Sequence, residues 1–383
     1  MAVYQSRHGK AIEAQLAQLE SPKNRFKTRV TLPTKTLAAI LVEQKKDLVI
    51  AEIDLPSTLD VGQVLVEFHY SGICGSQLGE IDGVKGPDKW LPHMLGHEAS
   101  GKVLAIGQGV KHVQPGQTIV AHWRPGKGIE ANTPKYNWNG QVVNAGWITT
   151  FNRHAVISEN RLAPISSEAD LKTAALYGCA VTTGLGTIEN KARVRFGDLV
   201  VVFGAGGIGL NLIQGASLAG AAQIIAVDLH DNRLELAKQL GATDVINGTH
   251  EDAFEAIASA LNGEAADIFI ENTGKPEVIA KGYQAIKASG QVVLVGVPKK
   301  GAEANIHTLD LHFGKSITGT TGGETLPHID IPRYMRLFER RRISLAPLIT
   351  ELAPLQKVNK LIEGMRSGRT AGRCLIDFTG IAS

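Results

Sequence analysis

The stretch Asp198–Gly220, DLVVVFGAGGIGLNLIQGASLAG, contains a β-strand pattern, a glycine-rich turn and a helix pattern, in that order. The turn follows the GxGxxG spacing. At this spacing the first glycine permits a tight turn, the second lets the backbone approach a pyrophosphate, and the third lets the helix pack on the strand. The anion then lies at the helix N-terminus. The predicted dinucleotide site in this turn comprises Gly204, Gly206, Gly207, Ile208 and Gly209.

An acidic residue follows where a dinucleotide site requires one. The next strand pattern, QIIAVD, ends in Asp228, 19 positions after Gly209 (228 − 209). A carboxylate there accepts hydrogen bonds from the adenosine ribose and repels a 2′-phosphate, so the pattern predicts NAD rather than NADP. Arg233, in the next helix pattern, is predicted to contact the same cofactor. The alternative is a glycine-rich turn with an aspartate that only caps a helix. The order of strand, turn, helix and acid disfavours it.

The region around this turn alternates between two patterns. Helical stretches such as NRLELAKQL and PEVIAKGYQAI separate strand-like apolar runs. Such alternation predicts βαβ units and a doubly wound parallel sheet, the Rossmann arrangement. The runs are Leu199–Phe203, Ile224–Val227, Ile268–Ile270 and Val292–Val297.

The preceding part of the chain has a different pattern. From about Leu37 to Pro164 the apolar segments are short and β-like, with turn signals between them. In VGQVLVEFHY the alternation places four side chains on one face of a strand: Val64, Val66, Phe68 and Tyr70. This region is predicted to form a compact, largely antiparallel β-barrel. The fold class is therefore α/β, with a Rossmann sheet and a barrel.

Composition limits the classes of partner. A chain of 383 residues exceeds what one core usually supports, so two domains are expected. A net charge of +3 predicts no nucleic-acid and no membrane partner. The three cysteines are odd in number and widely spaced, and the N-terminus has no signal-peptide pattern, so we expect a cytoplasmic protein. Residues 10–20 have the pattern of a short helix, interpreted as a docking arm.

Two of the cysteines and one histidine suggest a metal site. Cys74, His97 and Cys179 are separated by 23 and 82 residues (97 − 74 and 179 − 97). This spacing excludes a zinc finger and suits a catalytic zinc with three protein ligands and one open position. An open position allows zinc to polarise an alcohol oxygen. Spacing alone leaves the alternative that these cysteines only pack in the core.

The motifs GICGS, GHEASG, GCAVTTGLG and GAGGIG, together with Asp228, occur in this order along the chain. The pattern resembles the zinc-dependent alcohol dehydrogenases of the medium-chain dehydrogenase/reductase superfamily, from about residue 37 to 378. The resemblance implies that the Cys, His and Cys of the first three motifs bind a catalytic zinc. It implies that Glu98 can coordinate the metal transiently, and that Ser76 takes the alcohol proton. A plain turn serine is the alternative at Ser76.

The resemblance also implies a domain division and further cofactor contacts. Residues 1–36 would be an N-terminal extension, 37–180 with 323–383 a GroES-like catalytic domain, and 181–322 the Rossmann NAD-binding domain. Packing or surface roles are the alternatives for the additional contact residues. Those residues are Thr183 and the strand residues Val295, Gly296 and Val297 near the nicotinamide, and Arg373 at the pyrophosphate.

Three features depart from the family pattern. The family's lobe of four cysteines for a structural zinc corresponds here to HWRPGKGIEANTPKYNWNGQVVNAGW, which has none, so one zinc per chain is expected. Gln77 replaces the aspartate behind the zinc-bound histidine and is expected to accept the ring N–H without charge. Gly79 replaces the histidine that ends the proton relay.

The replacement segment is rich in tryptophan. All four tryptophans lie between residues 90 and 147. We expect the segment to form a subunit contact or part of the substrate cleft, and an ordinary hydrophobic anchor is the alternative. The four are Trp90, Trp123, Trp138 and Trp147.

The sequence thus predicts an NAD-dependent zinc alcohol dehydrogenase, a homodimer or homotetramer, that acts on a small-molecule alcohol, with a polyol or sugar-derived alcohol as the expected class. One rival is a zinc-free quinone or enone reductase of the same superfamily. It is disfavoured because the Cys, His, Cys set is intact. The other is a non-catalytic NAD(H)-binding protein on the same fold. It is disfavoured because no ligand and no glycine of the motifs is lost.

Overall fold

A computed structural model describes residues 32–380 of the chain. The predicted helix at residues 10–20 lies outside the described residues. From Thr34 onward the chain forms one compact unit. Among residues 32–380, no helix has both the length and the apolar character needed to cross a bilayer.

Eighteen β-strands are described within residues 32–380, and in chain order they are β1 (Lys35–Leu41), β2 (Val49–Asp54), β3 (Gln63–Ile73), β4 (His93–Met94), β5 (Glu98–Ile106), β6 (Thr118–His122), β7 (Lys135–Trp138), β8 (Gln141–Asn144), β9 (His154–Ser158), β10 (Leu162–Pro164), β11 (Leu199–Phe203), β12 (Gln223–Asp228), β13 (Asp244–Asn247), β14 (Ala266–Glu271), β15 (Ile286–Leu294), β16 (Ser316–Gly319), β17 (Ile349–Pro354) and β18 (Arg373–Asp377).

The α-helices of the described residues are α1 (Gly75–Ile81), α2 (Leu171–Ala174), α3 (Ala180–Gly186), α4 (Gly207–Ala219), α5 (Asp231–Gln239), α6 (Ala253–Ala260), α7 (Pro276–Ala285), α8 (Leu309–His312), α9 (Pro327–Glu339) and α10 (Val358–Arg366). A π-helical turn at Thr187–Ala192 follows α3, and short 3₁₀ turns include Ala175–Gly178 and Gly322–Glu324.

The second half of the chain contains a six-stranded parallel sheet. Its order is β13-β12-β11-β14-β15-β16, with every neighbouring pair parallel. The chain starts at the centre with β11, moves out on one side, then returns to continue on the other side with β14. This is the doubly wound Rossmann order, and a ligand binds where the order reverses, at the carboxyl ends of β11 and β14. The predicted parallel sheet is confirmed.

The first half forms two further sheets. Strands β1, β2, β7, β8 and β4 form a closed barrel, in which β8 pairs parallel with β4 and the other pairs are antiparallel. The second sheet has the order β10-β6-β5-β3-β18-β17, with β9 on β3. The closing strand β18 thus lies beside β3, although 300 residues separate Arg373 from Ile73. The predicted barrel is confirmed, whereas the domain boundaries stay a prediction.

Two details of the strand patterns were wrong. Val64, Val66 and Phe68 share one buried cluster, but Tyr70 packs on another because the pairing of β3 with β5 shifts register between Phe68 and Tyr70. A bulge of this kind turns the following side chain to the other face. The predicted run to Val297 also ends early, at Leu294. The next two N–H groups, of Val295 and Gly296, both donate to the carbonyl of Glu271, which turns the chain out of the sheet.

One buried apolar cluster joins the two halves. It includes Val120 and Leu375 from the antiparallel sheet, Val181 from α3, and Val200 and Leu210 from the parallel sheet and its first helix. These side chains fix α3 between the two sheets. The residues just before α3 therefore have a defined position relative to both, and Cys179 is one of them.

Candidate metal centre and dinucleotide cleft

Three separate elements bring the predicted ligands together. Cys74 is the N-cap of α1 after β3, His97 lies in the loop before β5, and Cys179 lies between the 3₁₀ turn Ala175–Gly178 and α3. Their ligand atoms all lie within 4.8 Å of one another, and both thiols are buried and unbridged. One nitrogen and two sulfur atoms at this spacing are a donor set that suits zinc with an open fourth position.

The histidine ring is held in position from behind. Nδ1 of His97 lies 2.6 Å from Nε2 of Gln77. The other ring nitrogen, Nε2, is buried and has no hydrogen-bond partner. An orphaned buried nitrogen is costly unless something binds it. Because the ring of His97 belongs to the cluster with the two sulfurs, and its Nδ1 is already engaged with Gln77, the residues fit a metal ion bound at Nε2.

The pKa values of the two thiols shift in opposite directions. A hydrogen bond from Cys179 and the charge of Arg373 lower the pKa of Cys74 well below its ordinary value, although burial opposes this effect. The same bond, together with burial, raises the pKa of Cys179. The charge of Arg373 and the hydrogen bond from Cys179 thus favour the thiolate form of Cys74. A thiolate is the form of cysteine that binds metal.

Glu98 lies beside the ligands and faces an arginine. Its Oε2 accepts the N–H of Ala180 at 3.1 Å, and its Oε1 lies 3.2 Å from Nε of Arg373, in an ion pair without hydrogen-bond alignment. Burial raises the pKa of Glu98, and the guanidinium opposes that effect. The side chain is completely buried against the backbone of Gly72 and Gly178.

Arg373 links this centre to the glycine-rich turn. A Cβ added to Gly207 would come 2.9 Å from Nε of Arg373, so the guanidinium lies directly against the start of α4. Nη1 donates to the carbonyl of Ile73 at 3.3 Å, while Nη2 is buried without a partner. Burial disfavours the charge, but the anionic groups of Cys74 and Glu98 outweigh it and raise the pKa of Arg373. Arg373 therefore places a positive charge, and an N–H group without a hydrogen-bond partner, beside the dinucleotide turn.

Glycine is required at different positions of the turn for different structural reasons. Gly204 has a φ of +104°, in the region that side chains rarely adopt. A Cβ on Gly209 would overlap the carbonyl oxygen of Gly204, so the close packing of helix on strand needs glycine there. A Cβ on Gly206 would enter open space, at the N-cap of the 13-residue helix α4. Open space at a helix N-terminus fits a pyrophosphate.

Asp228 lies at the end of β12, next to this turn. Its Oδ2 accepts the N–H of Ala205 at 2.8 Å, and its Oδ1 accepts the N–H of Leu229 at 2.8 Å. Arg233 lies 3.4 Å from Oδ1 and also donates to the carbonyl of Thr370. The carboxylate is therefore fixed in orientation beside the turn, with the guanidinium of Arg233 next to it.

The remaining predicted residues lie at various depths. Ser76 is exposed in the first turn of α1, two residues after Cys74. The N–H of Thr183 donates to the carbonyl of Cys179 at 2.9 Å, and its buried Oγ1 has no partner. Val295 is half-buried, whereas Val297 is 64% exposed. Ile208 packs against the cluster that joins the two halves.

Sequence reasoning missed a structural centre at Glu159, which borders the segment without cysteines and contacts it at Ile129. The carboxylate of Glu159, which is 1% exposed, accepts three backbone N–H groups from two loops. Lys111 and His112 donate to Oε1 at 2.6 Å each, and Ile129 donates to Oε2 at 2.7 Å. The only sequence signal is an acid at a strand end, which is too common to single out.

The tryptophans are not equivalent. Trp138 packs against the core of the barrel, which favours the anchor interpretation for that residue. A Cβ on Gly322 would come 2.6 Å from Cζ2 of Trp123, so this ring lies against the loop before α9. Trp90 is 61% exposed, and the guanidinium of Arg161 lies 5.3 Å from the ring of Trp147.

Comparisons with known proteins agree with this geometry. Residues 60–167 match the family described as alcohol dehydrogenase GroES-like domain, and residues 207–340 match the family described as zinc-binding dehydrogenase. The chain is 33% identical over 363 residues to an S-(hydroxymethyl)glutathione dehydrogenase of Synechocystis sp., covering 88% of this chain and 98% of that protein.

Solved structures give the same result. The alcohol dehydrogenase zinc-binding domain protein from Burkholderia ambifaria has a TM-score of 0.81 and 28% identity, covering 90% of this chain and 98% of that one. Benzyl alcohol dehydrogenase from Acinetobacter calcoaceticus has a TM-score of 0.80 and 28% identity, covering 90% and 99%. The chain therefore belongs to the zinc-dependent alcohol dehydrogenase family of the medium-chain dehydrogenase/reductase superfamily, whose chemistry is hydride transfer between an alcohol and NAD.

Proposed function

We propose that Cys74, His97 and Cys179 bind one catalytic zinc per chain, and that the protein oxidises a small alcohol with NAD. The observation that carries the proposal is the cluster of one His97 ring nitrogen and two thiol sulfurs within 4.8 Å of one another, in which the Nε2 of His97 is buried without a partner. A zinc ion bound there supplies a Lewis acid that acidifies the hydroxyl group of the alcohol. Glu98, beside the ligands, is the proposed transient fourth ligand.

The chain's own groups would move the proton. Ser76 lies two residues from Cys74 and is exposed, so its hydroxyl can accept the alcohol proton and pass it to water. With glycine at position 79, no side chain at that position can continue a relay. We propose that the proton leaves the site directly through solvent at Ser76.

Other groups would hold the cofactor. Nη2 of Arg373 and the open space at Gly206 support pyrophosphate binding at the start of α4. The fixed carboxylate of Asp228 supports recognition of the ribose hydroxyls of NAD, with Arg233 beside it. Thr183, one helical turn after Cys179, and the segment Val295–Val297 after β15 would lie along the nicotinamide.

The substrate class and the assembly are also proposals. We infer a polyol or sugar-derived alcohol from the polar residues around the tryptophans, for example His93 and Asp88, whose side chains pair at 2.8 Å next to Trp90. Exposed apolar side chains support a homodimer or homotetramer: Leu309, the first residue of α8, and Phe313, directly after α8, are 54% and 72% exposed. A substrate panel with polyols, benzyl alcohol and S-(hydroxymethyl)glutathione tests the first inference, and mass photometry tests the second.

The decisive experiment is zinc content per chain by elemental mass spectrometry. The parent should contain about one zinc, Cys74→Ser should contain almost none, and the control Cys374→Ser, a buried cysteine outside the cluster, should match the parent. About two zinc ions per chain would contradict the absence of a structural zinc. A parent purified without chelator that lacks zinc would contradict the proposed function.

A further inference from the structure

The side-chain amide of Gln77 lies between the backbone N–H of Cys74 and the ring of His97 and contacts both. Its Oε1 accepts the backbone N–H of Cys74 at 3.0 Å, and its Nε2 lies 2.6 Å from Nδ1 of His97. Gln77 is 2% exposed, so water does not replace either contact. Both neighbours are proposed zinc ligands, and the inference below rests on that proposed site.

The hydrogen-bond inventory fixes the orientation of the amide. A backbone N–H only donates, so the amide atom that faces Cys74 must be the oxygen. The amide NH₂ then faces the ring and donates to Nδ1 of His97. A neutral imidazole carries one proton, which must therefore be on Nε2. That is the buried nitrogen without a partner, on the ring that forms the cluster with the two sulfur atoms.

This arrangement conflicts with metal binding. A histidine binds zinc through a nitrogen lone pair and donates its other ring N–H to an acceptor. Zinc at Nε2 requires the proton on Nδ1, so Nε2 releases a proton and Nδ1 takes one up while the ring stays neutral. Nδ1–H then needs an acceptor, but the amide oxygen of Gln77 points at the N–H of Cys74 and its NH₂ points at the ring. A carboxylate would offer one oxygen to each.

We propose that Gln77 is a positioning residue that holds His97 in the tautomer unable to bind metal through Nε2, and that its amide must rotate when zinc binds. After rotation the N–H of Cys74 faces the amide NH₂ and loses its acceptor. The zinc site is thereby weakened relative to one with a carboxylate at this position. Metal occupancy then depends on the zinc supply.

The direct test is the tautomer of His97 in the zinc-free protein, read from ¹⁵N shifts of histidine-labelled chain, with His97→Gln to assign the signal. The parent should carry its proton on Nε2 without zinc and on Nδ1 with zinc. Gln77→Glu should carry it on Nδ1 in both states. A proton on Nδ1 in the zinc-free parent would overturn the proposal, whether or not the protein later proves to bind zinc.

The second test is zinc affinity by chelator competition. Gln77→Glu should bind zinc about 10- to 100-fold more tightly, the range by which partners of metal-bound histidines change affinity. The matched control is Gln63→Glu, another buried glutamine, whose amide accepts from Asp60 N–H and donates to the Asn132 carbonyl. Equal affinities for Gln77→Glu and the parent, or the same gain in the control, would overturn the proposal. A parent that binds no zinc would instead overturn the proposed function.

Discussion

Glu159 connects the loop of Lys111 and His112 to Ile129, which lies in the segment without cysteines. Replacing it by glutamine keeps the size and shape of the side chain but removes its charge and one acceptor oxygen. The side chain lies close against Gly128, since a Cβ added there would come 2.6 Å from its Cγ. The change therefore acts on the three hydrogen bonds and on little else.

The expected loss in the free energy of unfolding of Glu159→Gln follows from those three hydrogen bonds. Oε1 accepts two N–H groups and Oε2 accepts one, all at 2.6 to 2.7 Å. In the glutamine variant the amide NH₂ must face one of the two loops, which leaves at least one buried N–H without an acceptor, at about 1 to 3 kcal/mol. The bonds that remain lose their charge assistance, about 1 kcal/mol more. The free energy of unfolding should fall by about 2 to 4 kcal/mol.

Urea unfolding at pH 7.5, followed by tryptophan fluorescence, measures this loss. All four tryptophans lie between residues 90 and 147, so the signal reports on this part of the chain. The control is Glu168→Gln, at an exposed carboxylate whose Oε1 accepts a hydrogen bond from the hydroxyl of Ser167. A loss below about 1 kcal/mol, or one equal to that of the control, would refute the reasoning.

Lowering the pH should remove the stabilisation that the Glu159 carboxylate provides. Burial alone would raise the pKa of Glu159, but the N–H groups of His112, Ile129 and Lys111 outweigh it and lower the pKa below its ordinary value. The carboxylate therefore stabilises the fold fully above the unfolded-state pKa of about 4.3, and this stabilisation is lost as the pH falls through the lowered value. The difference in the free energy of unfolding between the parent and Glu159→Gln should therefore become smaller as the pH falls below about 4.3.

Two other variants test separate parts of the structure. Burial lowers the pKa of His122 to about 4, against about 6.5 in the unfolded chain, so the free energy of unfolding should fall by up to about 3 kcal/mol as the pH drops from 6.5 towards 4. His122→Gln should reduce this pH dependence, measured by urea unfolding at pH 7 and pH 5. The same pH dependence in the variant and the parent would contradict the role of His122. Asp228→Ala removes the carboxylate beside the turn and should lower kcat/KM for NAD about 10- to 100-fold, with a smaller loss for NADP; steady-state kinetics with both cofactors would show equal losses if Asp228 only supports the fold.

The dinucleotide turn was readable from sequence because its determinants are local. Strand, glycines, helix and acid follow one another within Leu199–Asp228, and the predicted strand Leu199–Phe203 coincides with β11. The metal cluster was different. Separations of 23 and 82 residues permit many arrangements, and only the family resemblance selected Cys74, His97 and Cys179; the structure then brings them together.

Other features could not be predicted because they depend on contacts distant in sequence. The bulge that redirects Tyr70 depends on the register of β3 against β5. The placement of Arg373 against Glu98 depends on the pairing of the closing strand with β3. Gln77 was expected to accept the ring N–H of His97. Its amide oxygen instead accepts the N–H of Cys74, a contact that depends on how α1 begins after β3.

The Glu159 centre ties the segment without cysteines, at Ile129, to the loop of Lys111 and His112. A structural zinc joins loops by accepting electron pairs from thiolates, whereas a buried carboxylate joins them by accepting backbone N–H groups. Beyond the loops, Nε of Arg124 donates to the Thr325 carbonyl at 2.9 Å, and Trp123 lies against Gly322, so the lobe contacts the loop before α9. Loosening the lobe in Glu159→Gln should therefore lower kcat/KM while zinc content stays at about one per chain. Loss of zinc from that variant would show instead that the lobe and the Cys74 cluster share one folding unit.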